Sequence, residues 1–257
     1  MPNHSLNRTF CGGPRLGIKS LAQTQPTTKC RLAQTLGVAN PMPPPVDSKI
    51  EETKLFSLYI HELWWLAHGV KTKAEKLFFE AKVPDDGYII QVNPELHSLI
   101  ASALSDAANL KKLLVTPSTR LNGESGRQFR LRKARSGFLN KLVDGIALNE
   151  LFNSKVRNTL EHFDEYLDEA NLAVSEAKVP PAPMAAYNMV FSHWEVITPR
   201  VYPVRLYISS ERKFYNMKWS INFDVIHKEA SAILERISAL PGFSEKEGPG
   251  GLMLHLT

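Results

Sequence analysis

Three polar residues on one predicted helix have the types and spacing that could cleave a phosphodiester bond. Arg157, Asn158 and His162 lie in the segment KVRNTLEHFDEYLDE, residues 155–169, whose apolar residues recur at helical spacing. On a helix Asn158 and His162 share a face, and the long side chain of Arg157 can reach it. A histidine can take the proton of a ribose 2′-hydroxyl, and an arginine can hold a phosphate through its planar donors. The spacing therefore indicates RNA cleavage, a chemistry that requires no metal, with Asn158 orienting the histidine or the phosphate.

The same residues resemble the motif of the HEPN superfamily, an Arg-x4–6-His pattern in which a polar residue often follows the arginine. The resemblance covers roughly residues 95–170 and includes Asp106-Ala107-Ala108 on the preceding predicted helix. It implies that two copies meet at the motif and build one ribonuclease site. In that site Arg157 would bind the phosphate, His162 would be the general base and Asn158 the polar helper.

The resemblance also implies a biological setting. Many HEPN members are toxins or antiviral ribonucleases, which implies a toxin or defence role and an antitoxin or another protein partner. Other members have lost activity and serve as binding modules. The predicted β-hairpin described below is not part of the minimal family pattern, so neither the subfamily nor the RNA target follows from the resemblance.

A strongly basic stretch is the second functional feature of the sequence. Between Lys111 and Lys141 nine cations stand against one anion, Glu124. Such a stretch can attract a nucleic-acid backbone in a salt-dependent way. A solvated helix face or an acidic protein partner would explain the same composition. The residues predicted to contact RNA phosphates are Arg127, Arg130, Arg132, Lys133 and Arg135.

Two alternatives to an endoribonuclease remain open at this point. One is a catalytically inactive helical module that binds nucleic acid or a protein partner, and the other is a structural oligomerisation protein. Arg157 and Glu161 are four residues apart and can form an ion pair, which usually belongs to a solvated face and contributes ~0.3–0.5 kcal/mol. Catalysis requires two copies of the motif to meet across a symmetric cleft, whereas binding requires only a basic face. The structural alternative predicts that Arg157 is engaged in an ion pair with Glu161.

Composition limits the class of protein and its compartment. Of the 257 residues 43% are apolar and 22% are charged, as in ordinary globular proteins. The two cysteines, Cys11 and Cys30, support neither a disulfide framework nor a zinc site, which favours a reducing compartment. The most apolar stretch, residues 55–70, is too short and too polar to span a bilayer. We expect a cytoplasmic homodimer that uses neither a metal nor a cofactor and has no membrane segment.

The chain divides into a tail, one domain and a short end. Residues 1–48 are predicted to be a disordered basic tail that closes in a proline-rich linker, because they show no sustained periodicity. Residues 49–243 form the predicted HEPN-like domain, which Ser48-x-x-Glu51 would open as a capping box. Residues 244–257 are rich in glycine and are predicted to be a flexible end.

Periodicity predicts the elements inside the domain. In chain order these are a helix from about Lys49 to His68 that stops at Gly69, a short helix at Lys71–Ala81, an extended piece at Tyr88–Val92, a helix from Pro94 to Leu114, a loop at Thr116–Gln128, a helical stretch over Phe129–Ala173, a β-hairpin at about 201–221 and a last helix capped by Asp224. The long stretch is predicted to be two helices with a break near Gly145 or Asn149–Asn153. The predicted fold class is therefore all-α, a bundle of about five helices with one small β-hairpin before the last helix.

Overall fold

The computed structural model describes residues 50–243 and 248–255. The predicted tail with its two cysteines, the predicted cap Ser48 and part of the predicted C-terminal end lie outside the described residues. The described chain forms α1 (Phe56–Glu80), β1 (Ile90–Gln91), α2 (Pro94–Leu114), α3 (Gly126–Leu142), α4 (Lys155–Glu161), α5 (Phe163–Ser175), β2 (Ala185–Phe191), β3 (Tyr202–Ile208), β4 (Lys213–Asn216), β5 (Trp219–Asn222) and α6 (Phe223–Ser238), with short 3-10 turns at Ile50–Glu52 and Trp194–Val196.

The expectation of an all-α bundle with one small hairpin is wrong, because the chain builds a five-stranded mixed sheet. The strands lie in the order β1-β2-β3-β4-β5, and β2 and β3 run parallel while every other neighbouring pair is antiparallel. Strand β2 was not predicted because its pattern of burial does not alternate along the chain. Asn188, in its middle, has a φ of 52°, and this interrupts the period of two.

The predicted second strand of the hairpin is in fact two strands. The chain reverses between Asn216 and Trp219, which are paired across β4 and β5. Met217 takes a φ of 55° in this reversal, a conformation that is common for glycine and asparagine and uncommon for methionine. The sequence therefore carried no turn signal at this point.

The main core lies between one face of the sheet and the helices. Val190 and Tyr207 from the two parallel strands are fully buried there with Leu63 of α1, Leu110 of α2 and Ile233 of α6. Successive strand residues point to opposite faces. The residues next to Val190 and Tyr207 in the strands therefore lie on the other face of the sheet, in a smaller apolar cluster. This cluster contains Phe191, Ile208, Leu206, Trp194, Ala186 and Val201.

Helix α1 continues through Gly69, where the sequence predicted a stop. Its buried residues keep their spacing on both sides of that position, from Leu66 to Val70 and Ala74. A Cβ at Gly69 would lie 2.3 Å from Oδ2 of Asp106 on α2, and Lys73 forms an ion pair with that carboxylate. The glycine therefore leaves room for the Asp106 carboxylate and does not end the helix.

The remaining helices agree in part with the predictions. Helix α2 has the predicted bounds. Helix α6 is confirmed, but the predicted cap Asp224 is wrong: the cap is Asn222, whose Oδ1 accepts from the backbone N–H of Asp224 and Val225. Helix α3 begins earlier than predicted, behind a capping box of Ser125 and Gln128. The break predicted near Gly145 or Asn149–Asn153 is confirmed between α3 and α4.

The long helical stretch has a second break that was not predicted. It falls at His162, between α4 and α5. Within the part of the chain that the structure describes, no helix combines the length and the apolar character needed to cross a membrane.

Candidate functional site

Helix α4, which carries Arg157 and Asn158 and ends just before His162, has seven residues and is held by its inner face. Val156 and Thr159 are fully buried, and Thr159 Oγ1 donates to the carbonyl of Val156 at 2.6 Å. The same hydroxyl accepts from Nδ2 of Asn216, a fully buried residue of β4, at 2.8 Å. A helix this short is marginal by itself, so these contacts fix its position.

The loop before α4 is fixed from two sides. Lys111 of α2 donates from Nζ to the carbonyl of Phe152 at 2.6 Å and lies 3.5 Å from Ser154 Oγ. From the other side Glu229 of α6, a buried residue, accepts from the backbone N–H of Glu150 at 3.1 Å and of Leu151 at 2.7 Å. The start of α4 is therefore tied to both α2 and α6.

Arg157 lies on the side of α4 that faces α2. Its Nη2 is 2.5 Å from Oε1 of Glu161, one turn later, as the structural alternative predicted. Its side chain is 23% exposed and lines a small cleft with Ala108 and Lys111. The cleft has a volume of about 20 Å³, room for about one water molecule. Arg157 and Lys111 thus place two cationic side chains at one cleft.

His162 lies at the junction of α4 and α5, outside both helices. Its backbone has φ −111° and ψ 47°, which is not helical. The hydrogen bonds from His162 N to Asn158 O and from Tyr166 N to His162 O bridge the break. The side chain is 58% exposed, and its Nδ1 lies 3.9 Å from Oε1 of Glu165. The imidazole is therefore open to solvent and to a ligand.

The structure brings the three motif residues to adjoining surface positions without joining them. Asn158 is half-buried, and its side chain has no hydrogen bond among the residues described here. No hydrogen bond or ion pair in the same part of the chain links Arg157, Asn158 and His162 to one another. The predicted apolar stripe holds only in its first half: Val156 is buried and Leu160 packs on the core, but Leu167, beyond the break, is 40% exposed.

The predicted basic surface divides into free and engaged residues. Arg127, Arg130 and Lys133 are exposed on α3, and within residues 50–243 and 248–255 they form no ion pair. Arg120 lies beside them: a Cβ at Gly126 would meet Nη2 of Arg120 at 2.7 Å and Nη1 of Arg130 at 3.7 Å. The start of α3 therefore gathers several cations that a phosphate backbone could approach.

Arg132 and Arg135 are engaged in holding the chain together. Arg132 donates from Nε and Nη2 to the two carboxylate oxygens of Glu124, each at 2.8 Å, and from Nη2 to the carbonyl of Thr119. The hydrogen bonds of Arg132 lower the pKa of Glu124 to about 2. Arg135 donates to the carbonyl of Lys112 and lies over the ring of Tyr59, and burial lowers the pKa of its guanidinium.

Comparison with protein-family models, with curated proteins and with solved structures finds no match to this chain. The functional argument therefore rests on the chemistry of the site.

Two residues that position the site were missed from the sequence. The sequence shows Lys111 only as one cation of the basic stretch, because its acceptor lies 41 residues further along the chain. Glu229 lies three residues after Ile226 and four before Ile233 on α6, and this helical spacing with the buried residues was the one available signal that the carboxylate points inward.

Proposed function

We propose that this protein is a metal-independent endoribonuclease of the HEPN type that acts as a homodimer. The observation that supports the proposal is that the buried residues of α4 differ from the motif residues. Val156 and Thr159 hold the helix in the core, while Arg157, Asn158 and His162 all reach the surface. The motif residues therefore take no part in the core, and a substrate can reach His162 directly and Arg157 by displacing Glu161.

The proposed reaction is an internal transesterification of RNA. His162 takes the proton of a ribose 2′-hydroxyl, whose oxygen then attacks the adjacent phosphorus. The bond from phosphorus to the 5′-oxygen breaks, which leaves a 2′,3′-cyclic phosphate and a 5′-hydroxyl. Arg157 stabilises the charge that develops on the phosphate oxygens. We assign the proton for the leaving oxygen to His162 of the second copy, and this is the step that requires the dimer.

The cations of α3 would provide the binding energy. Arg127, Arg130 and Lys133 are exposed and free of carboxylates in the described chain, so they suit contacts with phosphates. Arg132 and Arg135 contribute to the potential of the same helix while their donors are engaged by the protein. In this proposal RNA is the substrate, and an antitoxin or another protein partner would control a toxin or defence activity.

A second candidate function is RNA binding without cleavage. The observation that favours it is the ion pair between Arg157 and Glu161. This pair engages the guanidinium of Arg157, the group proposed to bind the phosphate. The pair separates the two candidates experimentally. Glu161→Gln removes the competing charge but leaves Arg157 in place.

The test compares RNA cleavage and RNA binding by Arg157→Ala, Glu161→Gln and the wild type. If the protein is a ribonuclease, Arg157→Ala loses cleavage by at least roughly 10²-fold, because the phosphate charge is no longer neutralised, and Glu161→Gln cleaves at least as fast as wild type. If wild-type protein binds RNA and never cuts it, the second candidate replaces the first. If it neither binds nor cuts RNA, the structural oligomerisation alternative stands.

A further inference from the structure

Three polar residues lie close together on the face of the sheet that is covered by helices. His97 comes from the first turns of α2, Asn188 from β2 and Arg205 from β3. Asn188 and Arg205 are opposite each other in the parallel pair, because the residues before and after them are in register. The Arg205 charge and the backbone carbonyl of Asn188 both act on the imidazole of His97. The three residues therefore form one cluster, which does not include the motif of α4.

The cluster contains buried polar atoms without partners among the described residues. These atoms are both ring nitrogens of His97, Oδ1 of Asn188 and Nε of Arg205. Burial lowers the pKa of His97 and the Arg205 charge lowers it further. The Asn188 carbonyl opposes this lowering without forming a hydrogen bond of ordinary geometry. Buried polar groups are nearly always hydrogen-bonded, so this group of unpartnered atoms indicates a missing ligand or water.

The backbone of the cluster is held in an unusual conformation. Asn188 has a φ of 52° and Arg205 a φ of 56°, although neither is a glycine. Oδ1 of Asn216 accepts from the backbone N–H of Arg205 at 3.1 Å and so helps to hold this conformation. Two such residues side by side on neighbouring strands are unfavourable without a compensating interaction, and residues of this kind gather at binding sites.

Arg205 is a cation that has no carboxylate partner in the described part of the chain. It forms no ion pair with any residue in the described ranges, and its guanidinium lies over the ring of Phe163, 4.0 Å from the centroid. The ring of Tyr187 is next to Phe163, with centroids 6.4 Å apart, and Tyr187 is 54% exposed. A guanidinium that rests on an aromatic ring keeps its donors free for an anion, and an exposed ring beside it can stack on a base.

We propose that Arg205, His97 and Asn188 bind the phosphate and sugar of a nucleotide whose base stacks on Tyr187. The fork of Arg205 takes the phosphate oxygens, and the neutral imidazole of His97 donates one hydrogen bond to them. Oδ1 of Asn188 accepts from a ribose hydroxyl, which is the kind of donor that it lacks in the structure. The nucleotide is either free or part of an RNA chain. The site does not depend on cleavage at the α4 motif.

The test is calorimetric titration of the full-length protein with uridine 5′-monophosphate, uridine, inorganic phosphate and a single-stranded oligouridylate. We expect the wild type to bind the mononucleotide at one site or the oligonucleotide at this site in addition to α3, and to bind uridine at least tenfold more weakly than its monophosphate because the phosphate is missing. Arg205→Gln should weaken binding of the phosphate-bearing probe at least tenfold. The matched control is Arg200→Gln, since Arg200 also lies over an aromatic ring, that of Trp194 at 4.9 Å, on the other side of the sheet. It should bind like the wild type.

A second variant covers the case in which Arg205→Gln does not fold. Tyr187→Ala changes an exposed ring, and it should weaken binding of the nucleotide while binding inorganic phosphate as the wild type does. Binding of the oligonucleotide but not of the mononucleotide would identify an RNA chain as the source of the phosphate, provided that Arg205→Gln weakens it in protein that also carries charge reversal at Arg127, Arg130 and Lys133. Binding of both probes under the same condition would identify a nucleotide site. The proposal is overturned if no phosphate-bearing probe binds, if uridine binds as tightly as its monophosphate, or if folded Arg205→Gln binds like the wild type. In the first case ordered water alone satisfies the buried atoms.

Discussion

At the scale of single residues, the ion pair between Arg157 and Glu161 determines how the motif can work. The carboxylate of Glu161 is 47% exposed, and an exposed pair one turn apart contributes only ~0.3–0.5 kcal/mol. A phosphate that accepts two charge-assisted hydrogen bonds from a guanidinium is a stronger partner. A bound RNA could therefore displace Glu161, whereas an unliganded protein keeps the pair.

A different carboxylate gives a prediction about acid stability. Glu124 has an ordinary pKa of 4.5, which the hydrogen bonds of Arg132 lower to about 2 in the folded protein. A lowered pKa in the folded state stabilises the protein fully above pH 4.5, and this contribution is lost as the pH falls from 4.5 through about 2. The difference in unfolding free energy between wild type and Glu124→Gln should therefore be constant near neutral pH and shrink across that window. Urea denaturation at a series of pH values measures it, with the exposed Glu235→Gln as control. A difference that does not change with pH would contradict the assignment.

At the scale of elements, α4 depends on contacts from other parts of the fold. The loop in front of it donates two backbone hydrogen bonds to Glu229. Glu229→Ala leaves these N–H groups without an acceptor and should lower the unfolding free energy by about 1–3 kcal/mol. Glu229→Gln keeps one acceptor oxygen and should lose less. Glu235→Ala, exposed on the same helix, should stay within about 0.5 kcal/mol of wild type in the same urea titration. Equal effects of Glu229→Ala and Glu235→Ala would show that the buried carboxylate does not hold the loop.

Helix α3 gives the prediction for RNA binding. Charge reversal at Arg127, Arg130 and Lys133 should weaken binding of single-stranded RNA across sequences and reduce the slope of log affinity against log salt by about 2. Fluorescence anisotropy over a salt series measures both quantities. The control is the same change of charge at Lys76, Lys82 and Lys178, exposed positions outside α3. If both triple variants lose affinity equally, net charge and not the surface of α3 governs binding.

The elements also show where sequence reasoning succeeds and where it stops. Helices α2 and α6 were predicted because their apolar residues keep the helical period and their ends carry capping residues. The break at His162 was hidden because Leu160 and Phe163 continue that period across it without a proline or glycine. The strand through Asn188 was hidden because its irregular conformation removes the alternation by which strands are recognised.

The candidate site was predictable only where its contacts are local. The ion pair between Arg157 and Glu161 follows from a spacing of four residues and is confirmed. The engagement of Arg135 with the carbonyl of Lys112 depends on how α2 and α3 pack, which no local pattern contains. The sequence therefore gives the number of cations in α3. It does not show which of them are exposed without an ion pair and which donate hydrogen bonds to other parts of the protein.

At the scale of the whole molecule, charge is distributed unevenly around the motif. The chain carries a net charge of +5, and its cations are concentrated between Lys111 and Lys141. Helix α5, directly after His162, begins with Asp164 and Glu165 in its first turn. These carboxylates repel a phosphate backbone, so we expect RNA to approach the motif from the side of α2 and Arg157, where Lys111 lies.

The central claim is that His162 is the base of a metal-independent RNA cleavage, and one measurement tests it directly. Purified wild-type protein and folded His162→Ala of the same oligomeric state are incubated with RNA in the presence of EDTA, and the product ends are analysed. The account predicts that the wild type yields 2′,3′-cyclic phosphate ends and that His162→Ala is slower by roughly 10²–10⁴-fold, because the proton acceptor is gone. Wild-type protein that cuts no RNA, or a His162→Ala variant that cuts as fast as wild type, would contradict it.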